Sequence, residues 1–197
     1  MILVGYMGCC FSCRDNSAKP FTLIKIFPDT LNSWQAKREF GGYTARRKLS
    51  EKLGLPDIEK STDSIEIRVW WQASIYTPSS VWVIHHSPDS SSAFRIDYYR
   101  DYSEELAIDS VQIFKQTPNA VSWAKYLEII EPSTFWGMPF HYQLKRAYDC
   151  VDGESVTIEM FTAQKYKTLT YPCYMLYRDS IPYVQFKLMV EHITGLN

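Results

Sequence analysis

The sequence has little of what marks the well-known functional classes. Its formal net charge is −1 over 197 residues, so it lacks the basic field that attracts nucleic acid. No apolar run approaches the roughly 18–20 residues of a membrane-spanning helix. The eight glycines form no phosphate-binding loop, and there is no nucleophile elbow and no HExxH metal signature. Nucleic-acid binding, a transmembrane segment and the familiar catalytic motifs are therefore not indicated.

The five cysteines are odd in number and unevenly placed. Cys9, Cys10 and Cys13 stand together, whereas Cys150 and Cys173 are isolated. This spacing is not that of a disulfide framework. Cys10 and Cys13 form one C-x-x-C pair, but a structural zinc site usually needs two such pairs. The sequence therefore predicts no metal site and no cofactor.

The four histidines give no local ligand set either. His85 and His86 are neighbours on a predicted strand, so their side chains point to opposite faces. His141 and His192 are distant in the sequence. A histidine site, with a metal or with a nucleophilic cysteine, is therefore possible only where the fold brings distant residues together.

The amino-terminal residues 1–20 are interpreted as a poorly ordered or targeting segment. Its first eight residues are mostly apolar and end at Cys9, as at the end of a lipoprotein signal. Against that reading, a basic n-region is missing, and Tyr6 stands where such signals usually carry leucine. We favour a loosely ordered terminus and a cytoplasmic location, with an envelope lipoprotein anchored through Cys9 as the alternative.

The chain is rich in apolar and aromatic residues. Hydrophobic residues make up 46% of it and aromatic residues 15%, which favours strands and a large aromatic core. The length suits one sizeable domain, and no repeat or linker divides the sequence. We therefore assign residues 21–197 to a single domain.

The clearest local pattern is a hairpin from Asp152 to Pro172. Two-residue alternation predicts a strand, a short loop from Thr162 to Lys165 and a returning strand. The apolar side chains then share one face, which we predict to be the core face, and the other face is half polar and half aromatic. The predicted register pairs Val156 with Tyr171, Ile158 with Leu169, Glu159 with Thr168 and Phe161 with Tyr166.

The rest of the chain predicts an α+β domain, with a largely antiparallel sheet packed against about three helices. The cations Arg46, Arg47 and Lys48 on the first helix are interpreted as a solvated face. The predicted strands are Phe21 to Phe27, Ile65 to Ile75, Val81 to His86, Phe94 to Tyr99, Val111 to Phe114 and Gln143 to Cys150. The predicted helices are Thr44 to Leu53, Asn119 to Glu131 (ended by Pro132), and one that starts after Ser180 and carries Tyr183, Phe186, Val190 and Ile193.

Several of these segments resemble a family of small, uncharacterised bacterial proteins. The resemblance covers Ile65 to Ile193 and implies the α+β architecture. Members often begin with a secretion or lipoprotein signal. The family has no established activity, so the resemblance implies no substrate. Its matching features are the strand Ile65 to Trp71, the helix with Trp123 and Leu127, FWGMP at Phe135 to Pro139, Asp152-Gly153, Ile158-Glu159, Tyr166 and Tyr171-Pro172.

Glu159 is the carboxylate with the most functional potential, midway along the first hairpin strand. As a functional group it would be a general base, or would anchor a ligand in a cleft lined by Phe161 and Tyr166. As a structural group it would pair with Thr168 or with a nearby cation such as Lys167 or Arg146. We favour the structural role and predict no catalytic residue.

Arg68 and Trp70, on the strand from Ile65 to Ile75, suggest cation–π or stacking contacts, although such residues more often form a covered sheet face. The candidate binding residues are therefore Glu159, Phe161, Tyr166, Arg68 and Trp70. We expect Phe161 and Tyr166, as outer aromatics, to be the residues that contact a partner.

The function most consistent with these features is a non-catalytic protein-binding module of the immunity or accessory type. Its partner is expected to be another protein, and the sequence does not indicate its oligomeric state. The alternatives are an enzyme of unknown class with a cleft near Glu159, and a lipid-anchored envelope protein.

Overall fold

The structure is a computed structural model that describes residues 24–26, 34–72, 78–101, 107–116, 132–144, 154–173 and 181–195. These ranges contain seven strands, three α-helices and two short 3₁₀ helices. The strands are β1 Ile24–Ile26, β2 Ile65–Gln72, β3 Ser79–Ser87, β4 Ser90–Asp101, β5 Ala107–Gln116, β6 Ser155–Thr162 and β7 Lys165–Pro172. The helices are α1 Trp34–Lys52, α2 Pro132–Gly137 and α3 Ile181–Thr194, and the 3₁₀ helices are Ile58–Lys60 and His141–Gln143.

The strands form one sheet in the order β1-β7-β6-β2-β3-β4-β5. Adjacent strands in the sheet are antiparallel, except that β1 lies parallel to β7. β2, β3, β4 and β5 follow one another as a meander, and the β6–β7 hairpin adds to the other side of β2. The predicted single α+β domain with a largely antiparallel sheet is confirmed. No described helix combines the length and apolarity that crossing a membrane requires.

The hairpin register is the one that the alternation predicts. Phe161 lies opposite Tyr166, and Ile158 lies opposite Leu169. A slip of one residue would move each apolar side chain to the opposite face, so the pattern selects this pairing. The turn is short, since β6 ends at Thr162 and β7 begins at Lys165.

One face of the sheet packs against α3 and the segment around α2. The ring of Tyr171 stacks on Phe186 of α3 with 4.4 Å between the centroids. The apolar helix positions predicted from the 3.6-residue spacing are all buried, and α3 ends before Gly195, whose φ of +68° suits a helix stop. This core contains Ile67, Val69, Val156, Ile158, Met160, Leu169 and Tyr171 from the sheet, Phe135, Met138 and Phe140, and Tyr183, Phe186, Met189, Val190 and Ile193 from α3.

The second face of the sheet is also covered, by α1 and the loop that follows it. Leu49 of α1 and Leu53, the first residue after the helix, pack in one apolar cluster with Trp70, and Ile58 packs with Phe161 and Tyr166. The expectation that Phe161 and Tyr166 face outward is therefore wrong. They are 4% and 0% exposed, because a helical layer on each side buries both faces of the central strands.

Helix α1 is longer than predicted and runs through Gly41 and Gly42. Glycine inside a helix costs about 1 kcal/mol relative to alanine, so packing on the sheet must offset this cost. A Cβ on Gly42 would lie 3.1 Å from Nη1 of Arg46, so this glycine leaves room for the guanidinium. Arg46 is 5% exposed, so the interpretation of the three cations as a solvated face is wrong for Arg46, whereas Lys48 is exposed.

The remaining expectations have mixed outcomes. The predicted helix from Asn119 to Glu131 and residues 1–20 lie outside the described residues. Pro132 begins α2, a position where its missing N–H costs nothing. The segment FWGMP packs in the core as expected. The predicted strand from Gln143 is replaced at its start by the 3₁₀ helix His141–Gln143, and residues 145–150 are not described.

Cys173 corrects the view that the cysteines form no disulfides. Cys173 is disulfide-bonded, and its partner lies outside the described residues. It directly follows β7, where its N–H donates to the carbonyl oxygen of Glu154 over 2.9 Å. Its φ of 48° is a left-handed conformation that non-glycine residues rarely adopt. The backbone bond and the disulfide together hold the end of the hairpin in this conformation.

Candidate functional site

The carboxylate of Glu159 is the centre of a buried polar network beneath α1. Oε1 accepts hydrogen bonds from the hydroxyl of Tyr166 at 2.8 Å and from Nε of Arg46 at 3.3 Å. Oε2 accepts one from Nε1 of Trp70 at 2.6 Å. Arg46 also donates through Nη2 to Oγ1 of Thr168 at 2.8 Å. Both carboxylate oxygens are therefore occupied by protein donors.

The charges in this network are almost completely shielded from water. Glu159 is 2% exposed, and a buried carboxylate is tolerated only when it is paired and hydrogen-bonded. Burial, and then the negative charge of Glu159, raise the pKa of Tyr166 well above its ordinary value. Tyr166 therefore remains a hydrogen-bond donor, so the network is suited to holding α1 on the sheet rather than to proton transfer.

The five candidate binding residues all lie on the α1 side of the sheet. Glu159 contacts Trp70 and Tyr166 directly, and Arg68 lies opposite Glu159 in the β2–β6 register. Phe161 lies opposite Glu66 in the same pair. The hairpin alternation predicts that Glu159, Phe161 and Tyr166 share a face, and the β2–β6 register adds Arg68 and Trp70 to it. All five are at most 4% exposed, so they do not form an open contact surface.

Arg68 belongs to a second buried cluster, which sequence reasoning did not find. Its Nε and Nη2 lie 2.8 Å and 2.6 Å from Oε1 of Glu66. Its Nη1 donates to Oγ of Ser50 at 3.2 Å, and Nη2 donates to the carbonyl oxygen of Pro56 at 2.6 Å. Arg68 thus fastens the end of α1 and its following loop to β2, and no aromatic ring is needed to explain its burial.

Two ionisable residues beside Glu66 complete a set of possible metal ligands. Asp63 lies in the turn before β2, and His85 lies opposite Glu66 on β3. Ligand atoms of Asp63, Glu66 and His85 all lie within 4.8 Å of one another. Burial acts to raise the pKa of Asp63, but hydrogen bonds from His85 and Ser87 outweigh burial and lower this pKa below its ordinary value. The fold therefore assembles distant residues into a site with metal-ligating chemistry, which the sequence pattern did not predict.

Lys167 is a buried cation on the opposite face of the sheet. Its Nζ donates to the carbonyl oxygens of Phe135, Trp136 and Met138 at 3.2, 2.9 and 2.6 Å. The expectation that Lys167 pairs with Glu159 is wrong, because their side chains point to opposite faces. The two-residue alternation of β7 contains this signal, since it places Lys167 with Leu169 on the core face.

A smaller polar cluster ties the loop after α1 to β1. Glu59 accepts the hydroxyl hydrogen of Tyr43 and forms ion pairs with Lys25 and Arg47. Burial, and then the hydrogen bond to Glu59, raise the pKa of Tyr43 to about 12. Burial acts to raise the pKa of Glu59, but hydrogen bonds from Lys25 and Tyr43 and the charge of Arg47 outweigh burial and lower this pKa. The carboxylate of Glu59 is thus paired within the protein, and we assign this cluster a role in holding the fold together.

Strand β5 is the most exposed part of the described sheet. It is the last strand in the order and, within the described residues, pairs with β4 alone. Every side chain from Asp109 to Lys115 is exposed, on both faces. Val111, Ile113 and Phe114 are large and apolar, and Ile113 is 65% exposed. Among the strands that the structure describes, none pairs with its outer edge, and these three apolar side chains face the surroundings.

Comparison with known proteins adds no identity to this geometry. None of the protein families, curated proteins or solved structures compared with the chain matches it. The resemblance to small bacterial α+β proteins therefore stays a prediction, and so does the secretion or lipoprotein signal that it implies. Function has to be argued from the surfaces and side-chain clusters described above.

Proposed function

We propose that this protein is a non-catalytic protein-binding module that pairs with an extended strand of its partner along β5. The observation that supports this proposal is the exposure of β5 described above. An exposed sheet edge presents a row of unpaired N–H and C=O groups, which is a template for strand addition. Natural sheets usually protect such an edge with short or charged strands, whereas β5 has ten residues and three exposed large apolar side chains.

The side chains of β5 specify the chemistry of the strand that would pair with it. Val111 and Ile113 point to the α1 side, opposite Tyr98 and Ile96 of β4, and favour apolar partners directly across the new edge. Asp109 and Lys115 flank them and favour a basic and an acidic residue respectively. The partner strand is therefore basic, then apolar at two alternate positions, then acidic, when it is matched against β5 from Asp109 to Lys115.

An enzyme built around Glu159 is less consistent with the geometry. A general base needs a free oxygen within hydrogen-bond reach of the substrate. Both oxygens of Glu159 accept hydrogen bonds from Arg46, Trp70 and Tyr166, and the residue is 2% exposed. We therefore assign Glu159 to the fold and not to chemistry.

The disulfide at Cys173 bears on where such a module would work. Disulfides persist in oxidising compartments and are rare in reducing cytosol. This favours the envelope over the cytoplasm, and the proposed binding module would then act outside the reducing compartment. Alkylation of free thiols in denaturant, in protein recovered directly from its native cells, tests the location, since Cys173 is only 8% exposed in the fold. Cys173 should resist alkylation until a reductant is added, and a freely alkylated Cys173 would place the protein in the cytoplasm.

Binding of a strand peptide to the full-length chain tests the proposed function. The probe is a fluorescently labelled peptide with the sequence of residues 108–115, which in antiparallel orientation carries the required basic–apolar–apolar–acidic pattern. We expect fluorescence anisotropy to show saturable binding to the wild-type protein. Ile113→Lys should weaken binding at least tenfold, because it places a charge in the apolar part of the new strand pair.

The matched control is Leu188→Lys, which places the same charge on an apolar side chain of α3 that is 54% exposed. This variant should bind the peptide like the wild type. Absence of saturable binding to the wild type, or an equal loss in both variants, would refute β5 as the binding edge.

A further inference from the structure

Glu66 carries an unusual arrangement of hydrogen bonds for a buried carboxylate. Its side chain is 1% exposed, and both nitrogens of Arg68 that reach it meet the same oxygen, Oε1. Within the described part of the chain, no hydrogen bond reaches Oε2. The nearest charged neighbour of Oε2 is Nδ1 of His85 at 3.7 Å. Oε2 therefore has unused capacity to bind a cation.

Asp63 and His85 direct two further ligand atoms to the same place. Oδ2 of Asp63 lies 2.6 Å from Nδ1 of His85, and the ligand atoms of the three residues lie within 4.8 Å of one another. Glu66 and His85 are direct cross-strand neighbours of β2 and β3, so their side chains lie on one face. The geometry therefore depends on the sheet register and on the turn that carries Asp63.

A further contact orients each of the three ligand side chains, as is usual for metal ligands. Arg68 orients Glu66 through Oε1, and Ser87 donates to Oδ1 of Asp63 at 3.1 Å. The ring of His85 stacks on Phe94 with centroids 6.0 Å apart. These contacts leave Oε2, Oδ2 and Nδ1 facing one another, and Oδ2 also accepts a hydrogen bond from Oγ of Ser61 at 3.2 Å. A proton on Nδ1 bridges His85 to Asp63 when no other cation is present.

We propose that Asp63, Glu66 and His85 bind a divalent first-row transition-metal ion. Two carboxylate oxygens and one imidazole nitrogen suit such an ion, and three protein ligands leave further positions for water. The side chains of Asp63 and His85 are 25% and 23% exposed, so the ion has a path from solvent. Arg68 partly neutralises Glu66, so we expect the site to bind its ion far more weakly than a structural zinc site does.

Titration of the full-length protein with Mn²⁺ tests this site. Mn²⁺ prefers carboxylate ligands and binds thiolates weakly, so the five cysteines interfere less with it than with zinc. Electron paramagnetic resonance of the free ion measures how much is bound. We expect one Mn²⁺ per wild-type chain, and a loss of affinity of at least tenfold in His85→Ala and in Asp63→Asn.

The matched control is His86→Ala, because His86 is the next residue on β3 and points to the other face, where its Nδ1 contacts Ser91. This variant should bind Mn²⁺ like the wild type. Unchanged affinity in His85→Ala, or no binding to the wild type at millimolar Mn²⁺, would overturn the proposal.

A second measurement locates the ion without any substitution. In the wild-type protein, bound Mn²⁺ should broaden backbone amide resonances around Asp63, Glu66 and His85 before any others. Broadening centred elsewhere in the chain would contradict the proposed site, even if the stoichiometry were one.

Discussion

The indole N–H of Trp70 donates to Oε2 of Glu159 over 2.6 Å. This bond joins β2 to β6, and the same carboxylate also receives Tyr166 from β7 and Arg46 from α1. Four elements therefore meet at one buried side chain. Because the apolar layer beneath α1 would pack in several related ways, we interpret these directional bonds as the feature that fixes how α1 lies on the sheet.

Removing the Trp70 donor should destabilise the fold by more than the lost ring volume. In Trp70→Phe the buried Oε2 of Glu159 loses the hydrogen bond that satisfies it. A hydrogen bond to a charged group contributes about 1.5–3 kcal/mol. We expect the free energy of unfolding, measured by urea denaturation, to fall by that amount beyond the cost of the smaller ring.

Trp82→Phe is the matched control for this prediction. Trp82 is 3% exposed, and its Nε1 is buried without a hydrogen-bond partner in the described structure. The substitution removes the same volume but no bond. Equal losses of stability in the Trp70 and Trp82 variants would show that the bond to Glu159 contributes nothing.

The hairpin shows how much of this fold can be read from sequence. The pairing of Phe161 with Tyr166 and of Ile158 with Leu169 follows from alternation alone, because a slip would exchange the two faces. The same alternation places Lys167 on the core face. That placement is easily missed, since a lysine among apolar residues suggests the polar face until the carbonyl oxygens of the α2 segment are known to bind it.

The burial of the second face could not be predicted in the same way. Glu159, Phe161 and Tyr166 alternate like a half-polar outer face, and a two-layer fold would leave them exposed. A polar face can instead be covered when the covering helix brings the matching donors, as α1 does with Arg46. Likewise, Asp63 and His85 are far apart in sequence, and the β2–β3 register that brings them together has no local signature.

Stability should depend on pH through Glu59. Its pKa is lowered in the folded protein by Lys25, Tyr43 and Arg47 against the effect of burial. A lowered folded pKa contributes stability above the unfolded value, about 4.3, and this contribution disappears as the pH falls through the folded pKa. Glu59→Gln should therefore be less stable than the wild type at pH 7, by about 1 kcal/mol for such an ion pair, and the difference should shrink below pH 4.

Glu51→Gln provides the comparison for this pH profile, because Glu51 is an exposed residue near the end of α1, shortly before the 3₁₀ helix that carries Glu59. Its free energy of unfolding should follow that of the wild type from pH 7 to pH 3. A difference between Glu59→Gln and the wild type that stays constant over this range would contradict the role assigned to the Glu59 carboxylate.

Reduction of the Cys173 disulfide should destabilise the protein. Native disulfides in small domains typically contribute about 2–4 kcal/mol, mainly by restricting the unfolded chain. We expect dithiothreitol to lower the urea midpoint of the wild type to that of Cys173→Ser, measured by circular dichroism. The variant should respond less to the reductant than the wild type does, and an equal response of both proteins would contradict the stabilising role of the Cys173 disulfide.

Strand β5 also carries a pattern that matches itself. In an antiparallel pair of two copies centred on Gln112, Val111 of one copy lies opposite Ile113 of the other. In the same register Asp109 of one copy comes opposite Lys115 of the other, at the end where the β4–β5 register shifts. Cross-strand apolar and opposite-charge pairs each contribute about 0.2–1 kcal/mol, and the two-fold axis repeats every pair.

We therefore expect weak self-association, visible as a concentration-dependent mass in sedimentation equilibrium. Asp109→Lys or Lys115→Asp alone should weaken the dimer several-fold, because like charges then face each other across both ends of the strand pair. The double variant exchanges the two charges and should recover the wild-type dimer, since the opposite-charge pairs are restored in reverse. Recovery separates this register from any general effect of charge on β5. A monomer at all concentrations would leave β5 free for a different partner strand, whereas a dimer that ignores all three variants would place its interface on another surface.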